Sequence, residues 1–351
     1  MANVGIIGAS GYVGGEILRI LFRHAETDIK IATSRKYAGE YLHRAHPNLR
    51  GATEMKFEEL EVDKISDKCD LVFTALPHGE VANTMRTLCE TGVKIVDLSA
   101  DHRLKNPDDY RCWYGFEHPD PELLERFVYG VPELHRSEIS ESIAVASPGC
   151  MAVTSILALA PFVKEDIIDS EHVVVDAKIG SSGGGIKSDI STHHSERYGV
   201  VRPYKPVGHR HTAEIEQELS QIAGRKINVS MSPHAINIVR GILCTIHAFP
   251  THPLTTGEVW KMLREFYNDE PFIRFVKDRK GLYRYPDPKM VIGSNYCDLG
   301  FEVDEKSSRL LLLSATDNLV KGAAGSAVQC MNVMMQFEET LGLEGIPLHP
   351  L

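Results

Sequence analysis

The chain has 351 residues, which favours two domains over one, and 43% hydrophobic and 25% charged residues are typical of a globular protein. Its formal net charge of −10 argues against nucleic acid as the main partner. No apolar run approaches the roughly 20 residues that a membrane-spanning helix needs, and the N-terminus lacks the pattern of a secretory signal.

The seven cysteines are scattered along the chain, odd in number and without CxxC spacing. This pattern argues against a disulfide framework and against a zinc site. We therefore expect a cytoplasmic protein with no metal centre.

The first predicted unit is a strand, a glycine-rich turn and a helix. Residues 4–7 form a short apolar run typical of a buried parallel strand, and residues 16–22 have the pattern of an amphipathic helix. In the turn between them, glycines that include Gly8 and Gly11 would let the backbone approach a pyrophosphate at the helix N-terminus. The spacing is GxxGxxG, a partial match to the dinucleotide fingerprint, and an ordinary tight turn is the alternative.

The second strand, residues 29–33, distinguishes between the nicotinamide cofactors. An NAD enzyme places an acidic residue near this strand end to bind the ribose 2′-hydroxyl. Ser34, Arg35 and Lys36 stand there instead. One hydroxyl and two cations suit a 2′-phosphate, so the sequence predicts NADP(H).

Three further strands are predicted over residues 70–76, 94–99 and 142–146. Ligand sites of open α/β sheets lie beyond the carboxyl ends of the strands. His78, Arg103 and Cys150 follow these ends. Arg103 offers bidentate geometry for a substrate phosphate, and a structural ion pair is the alternative.

Cys150 is the predicted nucleophile. It follows a Pro-Gly turn and precedes a long apolar helix, residues 155–160, so it lies at or near a helix N-terminus. The dipole and the free N–H groups there stabilise a thiolate. The alternative, a buried structural cysteine, is our interpretation of the other six.

A thiolate mechanism needs a group that moves protons. The cluster Gly-His-Arg-His-Thr-Ala-Glu (208–214) supplies His209 for this role, with Arg210 or His211 contacting substrate. His193 and His194 are alternatives. The glycine-rich loop 180–185, which includes Gly183, either lines the nicotinamide side of the cleft or is a flexible turn.

Two stretches are locally basic. Residues 187–211 hold five Lys/Arg against two acids, and residues 274–289 hold six against two. They indicate an anionic substrate or an acidic partner, and two solvated loops are the alternative. Near the end of the chain, a strand over 309–315, a small-residue turn and a helix are expected to return to the first domain.

Four motifs in order resemble the N-acetyl-γ-glutamyl-phosphate reductases, relatives of aspartate-semialdehyde dehydrogenase. They are Gly-Ala-Ser-Gly-Tyr-Val-Gly-Gly-Glu (8–16), Pro-Gly-Cys (148–150), Gly-His-Arg-His-Thr-Ala-Glu (208–214) and Asp-Asn-Leu-Val-Lys-Gly (317–322). Further segments, among them His-Pro-Asn-Leu-Arg-Gly (46–51), His-His-Ser-Glu-Arg (193–197) and Tyr-Arg-Tyr-Pro-Asp-Pro (283–288), resemble the lysine-biosynthetic branch. Members of that branch reduce acyl phosphates carried on LysW, a small acidic carrier protein.

The resemblance implies an α/β fold in which a Rossmann-type NADP-binding domain (1–149 and 314–351) embraces an α+β catalytic and dimerisation domain (150–313). It implies Cys150 as nucleophile, His209 as acid or base, and a homodimer or homotetramer. It also implies NADP contacts at Ser10, Tyr12, Val13 and Asn318. Met151 and Ala213 differ from the residues common at these positions in relatives. The shape of the pocket beside Met151 is therefore not predicted.

The expected reaction is therefore NADPH-dependent reduction of [LysW]-L-2-aminoadipate 6-phosphate, [LysW]-L-glutamyl 5-phosphate or both, through a thioester, in lysine and arginine biosynthesis. The first alternative is reduction of free N-acetyl-γ-glutamyl phosphate. The second is a non-catalytic NADP-binding regulator. One methylene separates the glutamyl and aminoadipyl substrates, so the sequence does not rank them.

Overall fold

The computed structural model describes residues 1–77, 79 and 82–350, and the chain divides into two compact units. The first unit comprises Met1–Pro148 and Ala323–Gly345, and the second comprises Gly149–Gly322 and Ile346–Leu351. The predicted domain boundary at residue 314 falls inside a strand, Arg309–Thr316, that belongs to the second unit. The first unit resumes at Ala323, nine residues after the predicted boundary.

The described strands of the first unit are β1 (Ala2–Ile7), β2 (Thr27–Ala32), β3 (Leu71–Thr74), β4 (Lys94–Asp97), β5 (Phe127–Tyr129) and β6 (Ala144–Ala146). They form one sheet in the order β2-β1-β3-β4-β6-β5, and every neighbouring pair is parallel. A parallel sheet of this order, with helices between its strands, confirms the predicted Rossmann-type class.

The helices of the first unit are α1 (Tyr12–Leu21), α2 (Val62–Lys68), α3 (Ala82–Thr91), α4 (Pro107–Tyr114), α5 (Pro132–Glu141) and, from the C-terminal part, α10 (Gly325–Met334). Helix α1 begins at Tyr12, four residues before the predicted start. Helix α10 is buried along its length and lies against α1, α5 and β4. His24 Nε2 and Asn332 Oδ1 are 2.9 Å apart, which ties this C-terminal helix to the chain after α1.

The described strands of the second unit are β7 (Val173–Ile179), β8 (Val201–Pro203), β9 (Val229–Ile236), β10 (Ile242–Ala248), β11 (Ile273–Phe275), β12 (Cys297–Asp304) and β13 (Arg309–Thr316). They form a mixed sheet in the order β11-β12-β13-β10-β7-β9-β8. Its helices are α6 (Cys150–Lys164), the short α7 (His194–Arg197), α8 (His211–Ala223) and α9 (Thr256–Phe266). The α+β architecture of this unit agrees with the expected fold class.

Burial alternates along the central strands of this second sheet. On β10, Ile242, Cys244 and Ile246 are buried, whereas the residues between them are half-buried. One face of the sheet packs on α6, whose residues 151–163 are all buried, and such a helix is hydrophobic on every side. The opposite face carries half-buried side chains that include Leu243, Leu311 and Leu313.

Within the described residues, none of the helices combines the length and the apolar character needed to cross a bilayer.

Candidate active site

Cys150 is the first residue of α6. Gly149 is the N-cap residue, with extended backbone and no side chain to cap the helix. The backbone N–H of Gly149 donates to Glu214 Oε2 at 2.7 Å, and Glu214 is fully buried. The thiol therefore lies at the positive end of a buried helix, as the sequence predicts.

Gly149 is enclosed by α8. A Cβ atom at this position would lie 2.5 Å from His211 Nε2 and 2.7 Å from Glu214 Oε1. Such distances leave no room for a side chain, so only glycine fits. The backbone that carries Cys150 is thus held directly against the first turn of α8.

His209 lies just before the N-terminus of α8, two residues ahead of His211. It is 7% exposed, its ring meets that of His211 edge-on at 4.7 Å, and its Nδ1 accepts the backbone N–H of His211 at 3.2 Å. Burial, reinforced by the charges of Arg210 and Lys205, lowers the pKa of His209 to about 4. At neutral pH the ring is therefore neutral, and because Nδ1 accepts, its proton is on Nε2.

Tyr204, which the sequence analysis did not single out, lies beside this histidine. Its hydroxyl is 3.5 Å from His209 Nε2 and 4.0 Å from Met151 Sδ. Desolvation of the hydroxyl and the nearby Cys150 raise the pKa of Tyr204, so it stays protonated. Nothing in the local sequence marks this tyrosine, because its position relative to His209 depends on the path of the loop between β8 and α8.

Two arginines near this cluster have a buried donor. Nε of Arg210 and Nε of Arg197 are buried and have no hydrogen-bond partner within the described part of the chain. Buried donors of this kind normally have a hydrogen-bond partner, either in the protein or in a bound ligand. Arg197 also donates to the carbonyl of Ile179 at 2.8 Å, and the sequence analysis did not name it. Contact of Arg210 with a substrate stays a prediction.

The alternative histidines lie elsewhere. His193 and His194 are exposed around α7, where His193 Nδ1 is 3.0 Å from Ser195 Oγ and His194 packs on Tyr198. Neither has a contact with His209 among the described contacts. His78 lies outside the described residues.

The turn before α10 packs against the cysteine. A Cβ atom on Gly322 would lie 2.7 Å from Cys150 Cβ. Asn318, at 2% exposure, accepts the backbone N–H of Gly241 at 2.8 Å and donates to Ser182 Oγ at 2.9 Å. Its amide thereby holds the glycine-rich loop around Gly183. Contact of Asn318 or Gly183 with a cofactor stays a prediction.

The first unit contains the glycine turn. Gly8 has φ +78°, and a Cβ there would lie 2.6 Å from the carbonyl oxygen of Ala75. Gly11 is the N-cap of α1, which has no side-chain cap and no acidic residue in its first turn. Tyr12 and Val13 are the first residues of the helix. A bare, uncapped helix N-terminus beneath a glycine turn fits the pyrophosphate of a nicotinamide cofactor.

The residues predicted to bind a 2′-phosphate follow the end of β2. Ser34 is buried, and its hydroxyl donates to Ser10 Oγ at 2.8 Å, which joins this strand end to the glycine turn. Arg35 and Lys36 are exposed beside it. Ser34 therefore joins the end of β2 to the glycine turn, and Arg35 and Lys36 follow it directly in sequence.

Arg103 is buried in the first unit. Its Nε donates to the carbonyl of Ser147 at 2.8 Å, and its Nη2 donates to the carbonyl of Leu98 at 3.0 Å. These bonds brace the segment that leads to Cys150. Its predicted contact with substrate stays a prediction.

The second basic stretch is partly neutralised by ion pairs. In residues 274–289, Arg274 pairs with Asp298 at 2.7 Å and Lys277 pairs with Glu302 at 2.7 Å. Arg279, Lys280 and Arg284 are exposed on the loop between β11 and β12. The cationic surface is therefore the tip of this loop rather than the whole stretch.

Two family models match the chain. The model for the semialdehyde dehydrogenase NAD binding domain covers residues 3–142, and the model for the semialdehyde dehydrogenase dimerisation domain covers residues 150–318. Among solved structures, aspartate semialdehyde dehydrogenase II of Vibrio cholerae, complexed with ASA, has a TM-score of 0.73 at 18% identity, covering 96% of this chain and 98% of that one. The enzyme of Candida albicans with NADP has a TM-score of 0.71 at 15% identity, covering 95% and 99%. Fold and sequence thus define a semialdehyde dehydrogenase-type oxidoreductase with a nicotinamide cofactor.

More similar relatives narrow the class. A putative [LysW]-L-2-aminoadipate/[LysW]-L-glutamate phosphate reductase of Nitrosopumilus maritimus is 58% identical over 99% of this chain and 100% of its own length. The [LysW]-L-2-aminoadipate/[LysW]-L-glutamate phosphate reductase of Saccharolobus solfataricus is 51% identical over 99% and 98%. The chain belongs to this family of phosphate reductases.

Proposed function

We propose that the chain reduces acyl phosphates carried on LysW, [LysW]-L-2-aminoadipate 6-phosphate and [LysW]-L-glutamyl 5-phosphate, to semialdehydes for lysine and arginine biosynthesis. The observation that carries this proposal is Cys150 at the N-terminus of α6, with Gly149 held by Glu214 and buried His209 in the same cluster. Relatives named for these substrates, 51% and 58% identical, support the choice of substrate.

The chemistry begins at Cys150. Its thiolate attacks the acyl carbonyl, the bond from that carbon to the phosphate oxygen breaks, and phosphate leaves, so that a thioester remains on the enzyme. Transfer of hydride to this thioester gives a thiohemiacetal alkoxide, which expels the thiolate as the semialdehyde forms. His209 acts at the carbonyl oxygen, donating from Nε2 as negative charge develops there and keeping that proton as the charge disappears. Arg210 and Arg197 hold the phosphate before it leaves.

A nicotinamide cofactor supplies the hydride when bound. Gly8, Gly11 and the N-terminus of α1 hold its pyrophosphate. The specific cofactor is NADPH, since Arg35 and Lys36 stand where an NAD enzyme carries an acid, and their charge suits a 2′-phosphate.

LysW is the partner that we infer. A small acidic carrier would be attracted to the cationic loop around Arg279, Lys280 and Arg284. A second copy of the chain would cover the open face of the second sheet, where Leu243, Leu311 and Leu313 are half-buried, and the molecular mass in solution tests this. None of the seven cysteines, all of which lie among the described residues, forms a disulfide bond, which suits a reducing cytoplasm.

Consumption of NADPH by the purified full chain tests the function with three substrates: carrier-bound aminoadipyl phosphate, carrier-bound glutamyl phosphate and N-acetyl-γ-glutamyl phosphate. We expect turnover of the carrier-bound substrates, none in Cys150→Ala, and unchanged NADPH binding in that variant. We expect His209→Asn to lower the rate by about 10² to 10⁴, the usual scale of an acid–base group.

Each alternative predicts a different result. Turnover of the N-acetyl substrate alone would support the free-metabolite reductase. The non-catalytic regulator would bind NADPH but turn over none of the three substrates. Its Cys150 thiol would react no faster than an ordinary cysteine. Retained reduction in Cys150→Ala would overturn the thioester route.

A further inference from the structure

A buried histidine contacts the glycine turn of the first unit. His46 follows the short 3₁₀ turn Leu42–Arg44, is 7% exposed, and its Nε2 is 2.8 Å from the carbonyl oxygen of Ala9. A carbonyl oxygen only accepts, so Nε2 carries the proton. The segment that this bond joins to the turn, His-Pro-Asn-Leu-Arg-Gly (46–51), has no role in the chemistry described above.

The same ring explains a glycine that pyrophosphate binding does not require. A Cβ atom on Gly15 would lie 2.6 Å from Cε1 and from Nδ1 of His46. The absence of a side chain at Gly15 therefore makes room for the imidazole rather than for a ligand. Fully buried Phe57 lies on the ring as well, with centroids 6.3 Å apart.

The backbone of the turn is held from several other directions. Ala9 N donates to the carbonyl of Thr33 at 2.9 Å, and Gly8 N donates to Thr33 Oγ1 at 3.2 Å. A Cβ atom on Gly14 would lie 2.6 Å from Ala9 Cα. Ala9 is fully buried, and His46 is the side chain that binds its carbonyl oxygen.

We propose that His46 is a positioning residue for the cofactor, since its Nε2–H bond to Ala9 orients the glycine turn so that the N–H groups after it point at the pyrophosphate. Burial lowers the pKa of His46, so the ring is neutral at neutral pH. A turn that His46 already holds in one orientation avoids the entropic cost of becoming ordered when the cofactor binds. The inference rests on the proposed use of a nicotinamide cofactor.

Fluorescence titration of the full chain with NADPH, together with melting temperatures, tests the role. His46→Ala should raise the Kd for NADPH by about five- to tenfold, the effect of one buried hydrogen bond. His46→Gln, which keeps an N–H donor at the same reach, should bind within about twofold of the unmodified chain. In assays, KM for NADPH should rise in His46→Ala while kcat at saturating NADPH and KM for the acyl phosphate stay the same.

His24 provides the matched control. It is a buried histidine of the same unit, its Nε2 is 2.9 Å from Asn332 Oδ1, and it also packs on a glycine, Gly342. His24→Ala should lower the melting temperature without changing the Kd for NADPH. An equal loss of NADPH binding in both histidine variants would reduce His46 to a structural residue and overturn the proposal.

Gly15→Ala is a second variant that does not depend on His46→Ala folding. Alanine is the better helix former by about 1 kcal/mol, yet its methyl group displaces the imidazole, so we expect weaker NADPH binding. Two results would overturn the positioning role alone. One is an unchanged Kd for NADPH in His46→Ala or Gly15→Ala. The other is a Kd in His46→Gln as high as in His46→Ala. A native chain that binds no NADPH would overturn the proposed cofactor as well.

Discussion

Burial of His209 links the stability of the folded chain to pH. Its pKa is about 4 in the folded chain against an ordinary value of 6.5, so between these values only the unfolded chain takes up the proton. The stability that the neutral His209 ring contributes above pH 6.5 is therefore lost as the pH falls towards 4. At about 1.4 kcal/mol for each pKa unit, the loss is about 3 kcal/mol.

Urea unfolding across this pH window measures the effect. His209→Gln should remove this part of the pH dependence, so that the difference in unfolding free energy between the variant and the native chain shrinks as the pH falls. His252→Gln, at an exposed position, is the control for replacing a histidine by glutamine. Parallel pH profiles for the native chain and His209→Gln would show that burial does not keep the ring neutral.

Residues of the site differ in how visible they are in the sequence. Cys150 was predictable because a Pro-Gly turn and an apolar helix, both local, place it at a helix N-terminus. Glu214 was not, because its bond to Gly149 spans 65 residues of chain. Tyr204 is only five residues from His209 in sequence, and it was missed because the folded loop alone brings its hydroxyl near that ring.

The N-terminus of α6 is the element on which the proposed chemistry depends. Gly149→Ala would place a methyl group 2.5 Å from His211 Nε2, so α6 and α8 must separate. Overpacking of this kind costs about 1–3 kcal/mol, and we expect the displaced Cys150 to lower kcat as well. Unfolding free energy and turnover measure the two effects.

Gly257→Ala in the first turn of α9 is the matched control. A Cβ atom there would have its nearest neighbour, Thr255 Oγ1, at 3.9 Å. Because alanine is a better helix former than glycine, this change should preserve turnover and raise stability slightly. Full activity in Gly149→Ala would show that close packing of Gly149 on α8 is not needed for catalysis.

Elements of the two units were not equally well predicted. In the first unit, β1, α1 and β2 follow from apolar runs and a glycine turn that are adjacent in sequence. In the second unit only β13 was predicted as a strand, whereas β7 and β10 were not. Both strands do alternate, with Asp176, Lys178 and His247 on the open face between buried apolar residues, so they carry a period-2 signal from which they could have been predicted.

At the scale of the whole molecule, the proposed function requires a chain of net charge −10 to bind a carrier that is itself acidic. The exposed loop with Arg279 and Lys280 is local enough to do so, because charges beyond about 8–10 Å are screened at physiological salt. Arg279→Glu combined with Lys280→Glu should raise KM for the LysW-bound substrate by about tenfold, on the scale of about 0.7 kcal/mol for each of the two exposed charges. The Kd for NADPH should not change.

Lys261→Glu combined with Lys306→Glu separates this local effect from overall charge. Both lysines are in the second unit and Lys306 is exposed in the turn between β12 and β13; two reversals of two units each take the net charge from −10 to −14 in either double variant. If the loop binds the carrier, only the Arg279/Lys280 variant loses affinity, and its defect varies with salt. Equal KM values in the two double variants would show that the carrier docks elsewhere on the chain.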